Sequence, residues 1–228
     1  MRIAAVRRHA ATAVVLALLV GAAVAFAETE RLKLKPTPIE ESFVQPAFSP
    51  VCSCPQATAA IRLRLHRADT VTVRIRDVSG DLVRVLVDGR RLPHGRTELE
   101  WDGRDDAGTP ARDGRYRVDV HLSGADRTFR LPRLVALDTV APTAQLVSYR
   151  PEPAKPGQWV HVSYRVSEPA HGVLFVNGRR KVVTYTRNRV AELRWKPRRP
   201  GRYRLQLAAL DLAGNLGPLA PVFVVRVD

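Results

Sequence analysis

Between residues 97 and 122 the chain alternates twice between apolar and polar positions. Thr97, Leu99 and Trp101 are interleaved with Glu98 and Glu100, the two-residue period of a strand with one buried face. Residues 102–114 are dense in Asp, Gly and Pro, which is turn chemistry. Tyr116, Val118, Val120 and Leu122 then alternate with Arg117, Asp119 and His121. Two such strands around a turn predict a hairpin. Trp101 is expected to fill the core beneath it. Tyr116, just past the turn, is expected to bury its ring and return its hydroxyl to nearby backbone, as in a tyrosine corner.

The same period recurs on either side. Ile61, Leu63 and Leu65 alternate with Arg62 and Arg64, and Val71, Val73 and Ile75 with Thr72, Arg74 and Arg76. Asp77-Val78-Ser79-Gly80 predicts a turn and residues 82–87 the next strand. Asp88-Gly89 predicts the opening of a loop that closes at Gly95, and residues 133–137 a last strand. Further on, Val160, Val162, Tyr164 and Val166 alternate with His161, Ser163 and Arg165. Two apolar runs then flank Asn177-Gly178, a strong hairpin signal. No helical period of useful length follows residue 27. The pattern predicts an all-β chain of two tandem antiparallel sandwiches, over residues 58–138 and 142–228.

The two halves echo each other. Glu192-Leu193-Arg194-Trp195 repeats Glu98-Leu99-Glu100-Trp101, and Gly201-Arg202-Tyr203 repeats Gly114-Arg115-Tyr116. Trp195 and Tyr203 are therefore the expected core pair of the second copy, with a shorter connection between them. This is the mark of an internal duplication. Val176-Asn177-Gly178-Arg179-Arg180 also echoes Val87-Asp88-Gly89-Arg90-Arg91, although Asn177-Gly178 can instead correspond to the Ser79-Gly80 turn.

Several spacings are more specific. They run Val71-x-Val73-x-Ile75-x-Asp77-x-x-Gly80-x-x-Val83-Arg84-x-Leu86, then Gly95, then Trp101-Asp102-Gly103-Arg104-Asp105-x-x-Gly108, then Asp113-Gly114-x-Tyr116. This stretch resembles the FlgD-type Ig-like domain, found in the flagellar hook-capping protein and in many exported bacterial proteins. The resemblance implies an Ig-like fold. It implies a module and no flagellar role, because the chain has no room for hook-binding and assembly parts and carries an N-terminal apolar run instead. Asp138-Thr139-Val140-Ala141-Pro142 resembles the linker that precedes bacterial Ig-like modules. Asp211-Leu212-Ala213-Gly214-Asn215 resembles a turn near the end of such domains.

Residues 1–27 read as an export element. Arg2, Arg7 and Arg8 precede residues 10–27, which carry no charge, and Ala25-Phe26-Ala27 is a small-residue cleavage pattern. The unbroken length of the run favours a retained membrane anchor over a signal cleaved after Ala27. The arginines stay cytoplasmic in either case, placing the remainder outside. Residues 28–57, interrupted by Pro36, Pro38, Pro46, Pro50 and Pro55, read as an extended tether. Cys52 and Cys54 at its end point to a disulfide, local or intermolecular, ahead of free thiols or a metal site.

The formal charge is +15, carried mostly by arginine. Such a balance favours anionic partners. Most of the arginines are spread over outward strand positions. The densest groups are Arg179, Arg180 and Lys181, and Lys196, Arg198, Arg199 and Arg202, which together form the expected patch for an anionic polymer. Sparse aromatic interleaving argues against nucleic acid. Asp102, Asp105, Asp106 and Asp113 are the best hard-ligand cluster for calcium, but their spacing matches no EF-hand and favours turn-capping aspartates. His66, His94, His121, His161 and His171 form no zinc or catalytic pattern. No catalytic residue, cofactor or metal is expected. The reading is an exported, membrane-anchored, non-enzymatic protein that presents Ig-like modules to a cell-wall polymer or protein partner. The alternative is an accessory module of an exported enzyme complex.

Overall fold

The computed structural model describes residues 16–26 and 37–228. Residues 16–26 are helical, about 16 Å long, and their large apolar side chains are exposed. Among the described residues no helix is long and apolar enough to cross a membrane. The rest of the apolar run and residues 28–36 lie outside the described residues.

The first sandwich is built from β1 (Ile39–Val44), β2 (Ala47–Phe48), β3 (Ala59–Leu65), β4 (Asp69–Asp77), β5 (Leu82–Leu92), β6 (Gly95–Trp101), β7 (Gly114–Leu122), β8 (Arg127–Arg130) and β9 (Val135–Leu137). One sheet runs β1-β3-β6. The other runs β2-β9-β7-β4-β5, with β8 beside β7. The second sandwich comprises β10 (Ala144–Arg150), β11 (Val160–Val166), β12 (His171–Val176), β13 (Arg179–Val183), β14 (Val190–Trp195), β15 (Gly201–Leu210) and β16 (Phe223–Val227). Its sheets run β10-β11-β14 and β13-β12-β15-β16. Placing β3 on β11, β4 on β12, β6 on β14 and β7 on β15 superposes the two strand orders. The duplication read in the motifs is thus one of topology.

Alternation becomes burial. Ile61, Leu63 and Leu65 on β3 are buried, while Arg62 between them is exposed and Arg64 half-buried. Each sandwich has its own apolar cluster, one between Val44 and Leu137 and one between Ala144 and Val227. β7 breaks the parity at Asp119, which is buried because Arg76 and Arg130 reach its carboxylate from the neighbouring strands.

Two expectations are corrected. Residues 37–57 are no tether. β1 pairs with β3, β2 pairs in parallel with β9, and Val44 and Phe48 are buried in the core. Pro38, Pro46 and Pro50 fall just outside these short strands, where a missing N–H breaks no ladder bond. The prolines punctuate strands here and do not prevent them. Asp88-Gly89 opens no loop either. β5 continues to Leu92 and takes up the pair as a bulge opposite Thr72. Gly89 has φ +52° and its N–H donates to Thr72 Oγ1 at 3.0 Å. Asn177 (φ +49°) and Gly178 (φ +78°), by contrast, form the tight turn joining β12 to β13. They therefore correspond to the Ser79-Gly80 turn, and the echo of Val87-Asp88-Gly89 is one of sequence only.

Candidate functional site

The two Trp–Tyr pairs are structural. Trp101 meets Tyr116 edge to face with centroids 4.8 Å apart, and Trp195 meets Tyr203 the same way at 4.9 Å. The Tyr116 hydroxyl donates to the Arg112 carbonyl and that of Tyr203 to the Arg199 carbonyl, each four residues back. Trp101 and Tyr116 are buried. Trp195 sits at the edge of the second core and Tyr203 is only half-buried.

The aspartates of the long turn do not converge on a common point. Asp102 Oδ1 accepts from the Arg104 N–H, and Asp105 Oδ1 from the N–H groups of Ala107 and Thr109. Asp106 accepts from the Val85 N–H, and Asp113 holds Thr139 through its N–H and hydroxyl. Each carboxylate caps backbone, the role turn aspartates are chosen for. The histidines are likewise singly engaged, His66 with Glu40 at 2.8 Å and His161 with Glu192 at 2.6 Å.

The basic residues divide. Arg179, Lys181, Lys196 and Arg198 line one cleft of about 600 Å³ at the end of the second sandwich, with Trp195 and Tyr203 in its wall and no acidic residue among its lining. The Asn177–Gly178 turn brings Arg179 and Lys181 there, and the chain leaving β14 brings Lys196 and Arg198. Arg180 lines the cleft at the domain junction instead, and Arg199 and Arg202 are exposed outside both. Four of the seven expected residues therefore share one cleft. Several arginines of the first sandwich are paired. There, Arg62 pairs with Glu98 at 3.0 Å, Arg64 with Glu40 at 2.9 Å and Arg76 with Asp119 at 3.3 Å. Among the described residues the four cleft cations form no ion pair, and Lys196 Nζ lies 5.5 Å from the Trp159 ring centroid.

The junction holds what the motifs did not reveal together. Cys52 and Cys54 are bonded to each other, so the local disulfide is the arrangement present. Gly214 of the Asp211–Asn215 turn packs against it. A Cβ there would lie 2.4 Å from Cys54 Sγ, and Gly214 has φ +94°. Asn215 Nδ2 donates to the Asp138 carbonyl at 2.9 Å and to Asp211 Oδ2 at 2.7 Å. A cleft of about 740 Å³ opens beside them, lined by the disulfide, His171 and Arg180 among others.

Asp138, Glu168 and Asp211 meet at this junction with carboxylate oxygens within 4.8 Å of one another, a spacing a hard divalent cation can bridge. It is the one such cluster among the described residues. Glu168 Oε1 is buried without a hydrogen-bond partner. Burial, and then the charge of Asp211, pushes the Asp138 carboxyl above its ordinary range. Burial, and then the charges of Asp138 and Asp211, does the same to Glu168. For an acid with a raised folded-state pKa the ionised form is what folding disfavours. The penalty is full above the raised value and is relieved as pH falls through it. Asp138→Asn with Glu168→Gln is therefore expected to melt higher than the parent near neutral pH, with the gap closing on acidification. A gap that widens in acid would reject this account.

Residues 54–126 match the FlgD Ig-like domain family. No curated protein sequence matches the chain. Among solved structures, the fibronectin(III)-like modules of Clostridium thermocellum CbhA are 15% identical, with TM-score 0.47, over 83% of this chain and 93% of that one. The FN1-FN3 domains of chicken CNTN1 are 12% identical, with TM-score 0.48, over 83% of this chain and 64% of that one. The matched stretch spans β3 to β7 and contains both the Trp101–Tyr116 pair and the capped aspartate turn, so the chain carries a FlgD Ig-like domain at residues 54–126, followed by a second sandwich of the same strand order.

Proposed function

We propose that this chain is an exported, non-enzymatic binding module whose second sandwich takes an anionic polymer in the cleft of Arg179, Lys181, Lys196 and Arg198. The observation that carries this is the set of four cations, without an ion-pair partner among the described residues, around one hollow with no acid in its lining. Unneutralised like charges in one cleft raise the local concentration of counter-ions and of anionic partners. The N-terminal apolar run, residues 10–27, holds the module at the membrane, or is removed after Ala27 and leaves it secreted. Both sandwiches then stand outside the cell, facing the anionic polymers of the wall.

The test is binding of the purified chain to cell-wall sacculi, to membrane vesicles and to DNA, each at low and high salt. Binding to one target in preference to the other two, weakening with salt but keeping that preference, is expected. Lys181→Glu with Arg198→Glu is expected to weaken that binding by about 30-fold at low salt, two attractions being replaced by two repulsions at about 0.5 kcal/mol each. The fold is expected to survive, because both side chains are exposed. Equal binding to all three targets that vanishes in salt would mean generic attraction and reject the cleft.

A further inference from the structure

The basic cleft does not end at Lys196. β13 and β14 are the edge strands of the two sheets of the second sandwich, and they run beside each other along its open side. Arg179 and Lys181 of β13, and Trp195 and Lys196 at the end of β14, line the basic hollow. The next residues on both strands, Val182 and Val183 on one and Leu193 and Arg194 on the other, line a second hollow of about 430 Å³. The two hollows therefore abut along the seam. From residue 179 to residue 184 the seam is about 17 Å long, room for several sugar rings.

The second hollow differs in chemistry. Trp159 and Tyr185 border it, and Thr184, Thr186 and Glu192 stand around them. Trp159 is 49% exposed and Tyr185 fully exposed. Among the described residues Tyr185 has no hydrogen-bond or ring partner, so neither the core nor a turn accounts for it. Large aromatics exposed in a hollow mark a recognition surface. Lys196, over the Trp159 ring, joins the two halves.

Resting on the basic cleft as an anion site, we propose that the whole groove binds an acidic polysaccharide. Flat apolar sugar faces stack on Trp159 and Tyr185, hydroxyls donate to Glu192 and Thr186, and carboxylates or sulfates lie against Arg179, Lys181 and Arg198. The acceptors Glu192 and Thr186 beside the aromatics suit the hydroxyls of a sugar better than the acceptor-rich backbone of a nucleic acid. The openness of the aromatic hollow tells against a peptide, whose apolar anchors need an enclosed pocket.

Titration calorimetry of the full chain at one low salt concentration tests this, with an oligogalacturonate, its neutral galactan counterpart, inorganic polyphosphate and single-stranded DNA as probes. The oligogalacturonate is expected to bind at least about tenfold more tightly than the galactan. Trp159→Ala with Tyr185→Ala is expected to weaken it about tenfold or more while leaving polyphosphate binding unchanged. Lys181→Glu with Arg198→Glu is expected to weaken both by about 30-fold. Oligogalacturonate binding indifferent to the aromatic pair would overturn the glycan inference and leave the anion cleft standing. DNA binding that depends on both aromatics and exceeds the glycan's would overturn it too. Indifference of every probe to the charge reversal would overturn both readings. Both aromatic side chains are exposed, and melting of each variant confirms that the fold is kept.

Discussion

Trp101→Ala is expected to destabilise the first sandwich by about 3–5 kcal/mol, a large fraction of the stability of a domain this size. The indole is fully buried, packs on Phe48 at 5.2 Å and on Tyr116 at 4.8 Å, and donates its N–H to the Arg104 carbonyl at 2.9 Å. Truncation opens a cavity between two sheets that cannot collapse, because β6 is tied to β3 along its whole length. It also leaves the Arg104 carbonyl without that donor in the turn the aspartates cap. Trp101→Phe keeps much of the volume and is expected to lose about half as much. The other tryptophans, Trp159 and Trp195, lie in the second sandwich. Denaturant unfolding followed by far-ultraviolet dichroism then reports both domains, and tryptophan fluorescence of the variant reports the second alone. A loss below about 1 kcal/mol would mean that the pair is not the centre of the first core.

Gly172→Ala is the second large effect, expected at about 1–3 kcal/mol or somewhat more. Gly172 lies on β12 with the ring of Tyr164, from the opposite sheet, directly over it. A Cβ would stand 2.2 Å from Tyr164 Cζ and 2.4 Å from its hydroxyl oxygen. Tyr164 is fully buried and cannot swing away. The Tyr164 hydroxyl and the Gly172 N–H both donate to Thr184 Oγ1, at 3.3 and 2.8 Å. The contact thus fixes the segment that carries Tyr185 into the proposed groove. The check is a double-mutant cycle. In a Tyr164→Leu background, with the ring gone, the added methyl is expected to cost far less. Additive losses would show that the clash is not with the ring. A variant that folds is also expected to bind the oligogalacturonate less tightly, through displacement of residues 184–186.

Local chemistry determined much of this molecule. Alternation over residues 59–65, 71–76 and 114–122 is a property of neighbouring residues, since a strand turns successive side chains to opposite faces wherever it sits. The Trp–Tyr pairs, the Asn177-Gly178 turn and the duplicated order of strands were legible for that reason, and with them the Ig-like fold. The same local reading went astray where a residue's meaning depends on its partner strand. Prolines at strand ends passed for a tether, and a Gly with positive φ inside β5 passed for a loop, because only the pairing of β1 with β3 and β4 with β5 distinguishes these cases. What tertiary structure alone decided is who meets whom. Asp138, Glu168 and Asp211 are far apart in the chain and carry no shared motif, yet the domain junction closes them to within 4.8 Å. The basic residues, two dense runs in sequence, are parted by the sheet edges into a four-cation cleft and solvated remainders. Trp159, just before β11, and Tyr185, just after β13, carry no signal at all until the packing of the two sheets brings them to one seam. Strand periodicity acts over two residues, whereas a site on a sandwich is assembled by edges and loops that meet only after both sheets have packed.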